Sequence, residues 1–75
     1  MTILEVRHGQ EHHYWDGYGF TSNPIDAIPW SLVEFHKDHI DKMKKAAEKA
    51  GYDVRETYVC EFSGYKILNS TKVKL

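Results

Sequence analysis

Residues 31–50 constrain the fold most tightly, because only a helical period sorts their apolar and charged side chains onto opposite sides. At roughly 100° per residue, Leu32, His36, His39, Ile40, Met43, Ala46, Ala47 and Ala50 share one arc, and the Lys, Asp and Glu side chains fall opposite. The segment reads as one amphipathic helix that must bury a face. Ser31 and Glu34 form a capping box at its start, with Trp30 and Phe35 at the positions of a hydrophobic staple. Acidic residues lead, lysines follow, and Gly51 suits the left-handed C-cap. Two histidines, His36 and His39, are thus aimed at whatever the helix packs on.

The surface for that packing lies upstream. Residues 2–8 alternate as a strand, and Gly9-Gln10 places a glycine first in a two-residue type II′ turn. This register sets His8 opposite Glu11, Val6 opposite His13 and Leu4 opposite Trp15. Asp16-Gly17 reads as a second tight turn, setting Trp15 against Tyr18 and His13 against Phe20. One face then collects Leu4, Val6, His8, Glu11, His13, Trp15, Tyr18 and Phe20, and this is the face expected under the helix. Asn23 caps a short turn that opens on Pro24, and Pro29 stops it.

Beyond the helix the period returns to two. Tyr58, Cys60 and Phe62 alternate with Thr57, Val59 and Glu61 and are expected on the core face. A turn at Ser63-Gly64 joins this strand to a return strand, pairing Phe62 with Tyr65 and Cys60 with Ile67. The order β-β-β-α-β-β implies a single α+β domain over residues 1–75, an antiparallel sheet with one helix packed on one face.

Composition narrows the function classes. Ten basic against eleven acidic side chains leave a net charge of −1, which argues against a general nucleic-acid binder. A nucleic-acid-binding regulator therefore stands only as a lesser alternative. Cys60 is the single cysteine, which fits a reducing compartment. No apolar run approaches the roughly 18 residues of a membrane span, and no signal-peptide pattern opens the chain. The expectation is a soluble, cytoplasmic protein.

Three chemistries deserve weighing. His36 and His39, three apart on one helix face, could share a zinc or another divalent ion with His8, His13 or Glu11 if the helix crosses that end of the meander. The spacing is not that of a helical zinc protease, and packed histidines are the simpler reading. Cys60 sits in mid-strand, where a thiol acts as a small hydrophobe, and no glycine-rich phosphate loop is present. No catalytic constellation emerges, so the chain reads as a non-enzyme without a cofactor. The aromatics point to binding: the chain has ten Phe, Trp and Tyr, and four of them concentrate at Tyr14–Phe20. Tyr14 is expected on the face away from the helix, with Val59 and Leu68 nearby. An apolar-aromatic face on so small a domain implies a partner or self-association. Tyr14, Trp15 and Tyr18 are the expected partner-binding residues.

Gly19-Phe20-Thr21, followed by Ala27 and then Trp30-Ser31, resembles a hairpin-to-helix pattern of small accessory proteins of tailed bacteriophages. The resemblance covers under half of the chain and leaves out the histidines and the C-terminal hairpin. It implies a compact α+β protein that binds and inhibits or remodels a host macromolecule, an enzyme or a defence component, in the host cytoplasm.

Overall fold

The computed structural model describes residues 1–35 and 37–75, with the backbone alone at 34 and 35. Strands β1 (Thr2–His8), β2 (Glu11–Trp15), β3 (Phe20–Thr21), β4 (Thr57–Ser63) and β5 (Lys66–Lys72) form one antiparallel sheet in the order β3-β2-β1-β4-β5. Helical stretches α1 (Trp30–Phe35) and α2 (Lys37–Ala50) connect β3 to β4 and pack on one sheet face. This is the α+β architecture that the periodicities imply.

The β1–β2 hairpin has the expected register, with Val6 opposite His13 and His8 opposite Glu11. Gly9 has φ +61°, the left-handed value needed by the first central residue of a II′ turn. Leu4, Val6 and Trp15 consequently share a face and meet Val33, Met43 and Ala47 in a buried cluster. Asn23 caps a 3-10 turn over Pro24–Asp26 by accepting a hydrogen bond from Ile25 N at 3.1 Å.

α2 ends as the sequence suggests. Gly51, at φ +81°, donates to Glu48 O, and Tyr52 N donates to Ala47 O at 2.8 Å, the paired bonds of a Schellman cap. The reversal drops the Tyr52 ring onto His13, stacked at 4.4 Å between centroids. At the other end, Leu32 points outward and Val33 is buried, reversing the expectation for Leu32. Val33, Ile40, Met43 and Ala47 are seven, three and four apart, so the stripe that packs is centred beside the arc read from the sequence. The helix begins at Trp30, one residue before the expected cap. Ser31 is therefore a helical residue and not the N-cap of a capping box, and Trp30 is not outside the helix as a staple requires. The Glu34 and Phe35 side chains and His36 lie outside what is described.

Two registers and one face differ from expectation. The β2–β3 connection is a four-residue loop with Trp15 opposite Phe20, not Trp15 opposite Tyr18. The Asp16 carboxylate accepts from the amides of both Tyr18 and Gly19 at 2.8 Å, and this side-chain clasp stabilises the longer loop. The slip is an even number of residues, so Phe20 keeps its face. In the C-terminal hairpin the turn is Gly64-Tyr65, with Phe62 opposite Ile67 and a bulge next to Phe62. Gly64 at φ +63° takes the first central position, where a II′ turn wants its glycine; a Ser63-Gly64 turn would put it second.

The face assignment of β4 is also reversed. Cys60 pairs with Ile3, and Val59 with Leu4, so Cys60 and Phe62 lie on the side away from the helices and Val59 lies under them. Both alternating sets of β4 contain apolar residues, so alternation alone could not choose between the faces.

Leu4 has no exposed surface and sits at the middle of the helix-side cluster. Leu4→Ala should cost about 2–5 kcal/mol in urea unfolding. Leu68→Ala, at a half-exposed edge position, should stay within about 0.5 kcal/mol.

Candidate functional site on the outer sheet face

The sheet face away from the helices has its own buried layer of Ile3, Tyr14, Ala27, Cys60 and Phe62, to which neither α1 nor α2 contributes a described residue. Only the turn after β3, through Ala27, covers one corner. The strand registers lay Tyr14, Glu5, Tyr58 and Lys72 side by side across four strands, with Arg7 opposite His12 in the adjoining pair.

Glu5 is the hub of this face. Its side chain is only 2% exposed, so its carboxylate must find partners within the protein. Arg7 Nε donates to Oε1 at 2.7 Å, and His12 Nδ1 lies 3.0 Å from Oε2. The Tyr14 hydroxyl and the Cys60 thiol lie close enough to Glu5 to feel its charge. The strand geometry brings these groups together. Arg7 is two residues along β1 on the same face, while Tyr14 and His12 come from the paired strand β2.

The outer part of the cluster reaches solvent. The Arg7 guanidinium lies 3.7 Å from the centroid of the Tyr58 ring, and its Nη2 donates to Ser70 Oγ at 2.6 Å. The Tyr58 hydroxyl donates to Glu56 at 2.9 Å, and Lys72 Nζ reaches the same carboxylate at 3.3 Å. Arg7 is thereby held flat on an aromatic ring by bonds at both ends. A stacked, pre-ordered Arg–Tyr pair loses little side-chain entropy when another surface meets it.

The chemistry of the buried groups is inert. Burial pushes the Tyr14 hydroxyl from 10.0 up to about 12, and the nearby Glu5 charge adds to the shift. Burial and then Glu5 push the Cys60 thiol from 9.0 up to about 12. Neither is a nucleophile near neutral pH. For Arg7, burial is the largest single influence and acts to lower the value, but the bond to Glu5 and the charge attraction of Glu5, Tyr58 and Cys60 together outweigh it, and the net shift is upward.

The residues expected from sequence to bind a partner are dispersed. Tyr14 is on the outer face but only 6% exposed, and Trp15 is 1% exposed beneath the helices. Trp15 therefore belongs to the core, because strand alternation turns it away from Tyr14. Tyr18, at the β2–β3 tip, is 98% exposed. The expected metal ligands separate as well. His39 packs edge-on to Trp15 at one end of α2, whereas His13 stacks on Tyr52 beyond the other end and lies 3.1 Å from Glu11. His8 is exposed beside the same Tyr52 ring. Among the described residues no three metal-binding side chains converge, and His36 is outside them.

Glu5, Arg7, His12 and Tyr58 were not singled out from sequence. The correct β1–β2 register already placed Arg7 opposite His12 and Glu5 opposite Tyr14, so half of the cluster was within reach. Tyr58 was not, because β1–β4 pairing spans more than fifty residues of chain and leaves no local signature.

Comparison of the chain with family models, with curated proteins and with solved structures gave no match. No helix among the described residues is long and apolar enough to cross a membrane.

The raised values carry a pH dependence with a definite sign. Protonated Cys60 and Tyr14 support the fold fully below about pH 9, and that support is lost as the pH climbs toward about 12. The melting temperature should fall progressively across that window, and Tyr14→Phe should flatten the fall. Iodoacetamide at pH 8.5 should leave Cys60 unmodified in the folded protein and alkylate it in urea; equal rates in both would contradict the burial.

Proposed function

We propose that this chain is a small protein-binding module that works by contact rather than catalysis, with the outer face of the sheet as its contact surface. The observation that carries the reading is the Arg7–Tyr58 contact, a cation held 3.7 Å over an aromatic ring on a face to which neither α1 nor α2 contributes a described residue. Arg and Tyr are the side chains that most often dominate protein interfaces, since each offers a large contact area with polar reach. His12, Ser70 and Lys72 surround the pair, and Tyr18 supplies an exposed aromatic at a hairpin tip. The protonated states of Tyr14 and Cys60 support a role without covalent chemistry.

The hairpin-to-helix resemblance adds a class of partner, a bacterial host protein or complex that the module would occlude or remodel. Affinity capture from a bacterial lysate with the tagged protein tests both parts of the reading. Arg7→Lys keeps the charge beside Glu5 and removes the planar stack, and Tyr58→Leu removes the ring. Each should weaken retention of a captured partner by about 2 kcal/mol, roughly 30-fold, with the circular dichroism spectrum unchanged. Undiminished retention by the folded double variant would refute the outer face as the contact surface.

A further inference from the structure

The sheet ends on β5, and this edge is long and open. All of β5 except Ile67 is exposed, whereas the opposite edge strand β3 has only two residues. The direction of each backbone group on β5 follows from a single bond. Val73 N donates to Thr57 O at 2.9 Å, and these residues continue the β4–β5 register. Hydrogen-bonded pairs alternate along an antiparallel ladder, so Thr71 and Asn69 also turn their N–H and C=O groups toward β4. Ser70 and Lys72 turn theirs outward, where they form a template for another strand.

Charge selects among the strands that could use that template. Residues 64–75 contain Lys66, Lys72 and Lys74 and no acidic side chain. Lys72 shares Glu56 with the Tyr58 hydroxyl, while Lys66 and Lys74 have no carboxylate partner among the described residues. A second copy of β5 would bring three more lysines and no acid to the same edge. Docked antiparallel about residue 69 or 70 it sets Lys66 opposite Lys72 or Lys74, and about residue 71, where Ser70 faces Lys72, it leaves the two copies of Lys72 diagonal to each other. Like charges directly opposite destabilise a strand pair. The same lysines attract a strand of opposite charge. Alternate side chains of an added strand would face the two sides of the sheet. On one side lie Lys72 and Tyr58. On the other, Val54, Val73 and Leu75 line a groove of about 530 Å³ bordered by Arg55 and Lys74.

We infer that β5 accepts an extended, acidic segment of a partner protein as a sixth strand, through the outward backbone groups of Ser70 and Lys72. This rests on reading the chain as a protein-binding module and names the chemistry of the segment it takes. The edge is continuous with the outer face, since Arg7 is bonded to Ser70 Oγ.

The test uses ¹⁵N-labelled full chain and a blocked synthetic peptide of alternating Glu and Val, with a Lys/Val peptide of the same length as control. Strand addition should slow amide hydrogen exchange at Ser70 and Lys72 by about tenfold or more at saturating peptide, while Asn69 and Thr71 hardly change. The Lys/Val peptide should not bind, and raising the salt concentration should weaken the acidic one. Ser70→Pro removes an outward N–H without touching the β4 ladder and should reduce affinity at least about tenfold. Ser70→Ala, which removes only the hydroxyl that Arg7 uses, should retain binding. Absence of any shift in β5 at millimolar acidic peptide would overturn the inference, as would equal protection of inward and outward amides. Dimerisation of the free protein that Ser70→Pro abolishes would put a second copy on the edge and overturn it too. Failure here with the Arg7 and Tyr58 effects intact would leave the outer-face reading standing.

Discussion

A glutamate buried in the central strand organises this domain. β1 has neighbours on both sides and a buried cluster of side chains on each face, so Ile3, Leu4, Glu5 and Val6 are all buried in succession. Three of them are apolar and contribute to the two cores directly. Glu5 is tolerable there only because Arg7 and His12 meet its carboxylate from the same face. That arrangement depends on one register, Glu5 with Tyr14 and Arg7 with His12. A slip of one residue would turn the carboxylate into the helix-side core and expose Leu4 and Val6.

From this follows a division of labour between the faces. The helix side is the larger apolar core, where Trp15, Met43 and Val33 exclude water. The outer side is amphipathic: an apolar floor of Ile3, Cys60 and Phe62, then the Glu5 network, then Arg7 on Tyr58 at the surface. A buried, fully bonded polar group specifies geometry more sharply than an apolar contact, because partial satisfaction is costly. Glu5 thus holds Arg7 in one orientation on Tyr58, which orders a face to which neither α1 nor α2 contributes a described residue.

The cap of α2 has a comparable reach. One left-handed glycine reverses the chain and delivers Tyr52 to His8, His13 and Phe20. The ring takes up the contact surface of those histidines. The β1–β2 register places His8 and His13 at that end of the sheet, and the Tyr52 ring packs against both.

Local chemistry made much of this legible in the sequence. The helical period over most of this segment, its Gly51 stop, the Asn23 cap and the Gly9 turn all depend on residues within a few positions of one another. These stand as read, while the start of the helix and the outward turn of Leu32 do not. So does the β1–β2 register, since turn type and hydrophobic alternation demand the same pairing. The side-chain clasp of Asp16 and the bulge of the last hairpin were beyond reach, because both choose between turns that the same residues allow. The face of β4 was a further step away. Its two alternating sets are both partly apolar, and only pairing with β1 across the helix decided that Cys60 lies opposite Ile3 and Tyr58 opposite Glu5. Sequence alone thus determined the helical and strand periods and the fold class. The tertiary structure decided which side chains meet on the outer face, because that face is assembled from strands distant in the chain whose register no local interaction encodes.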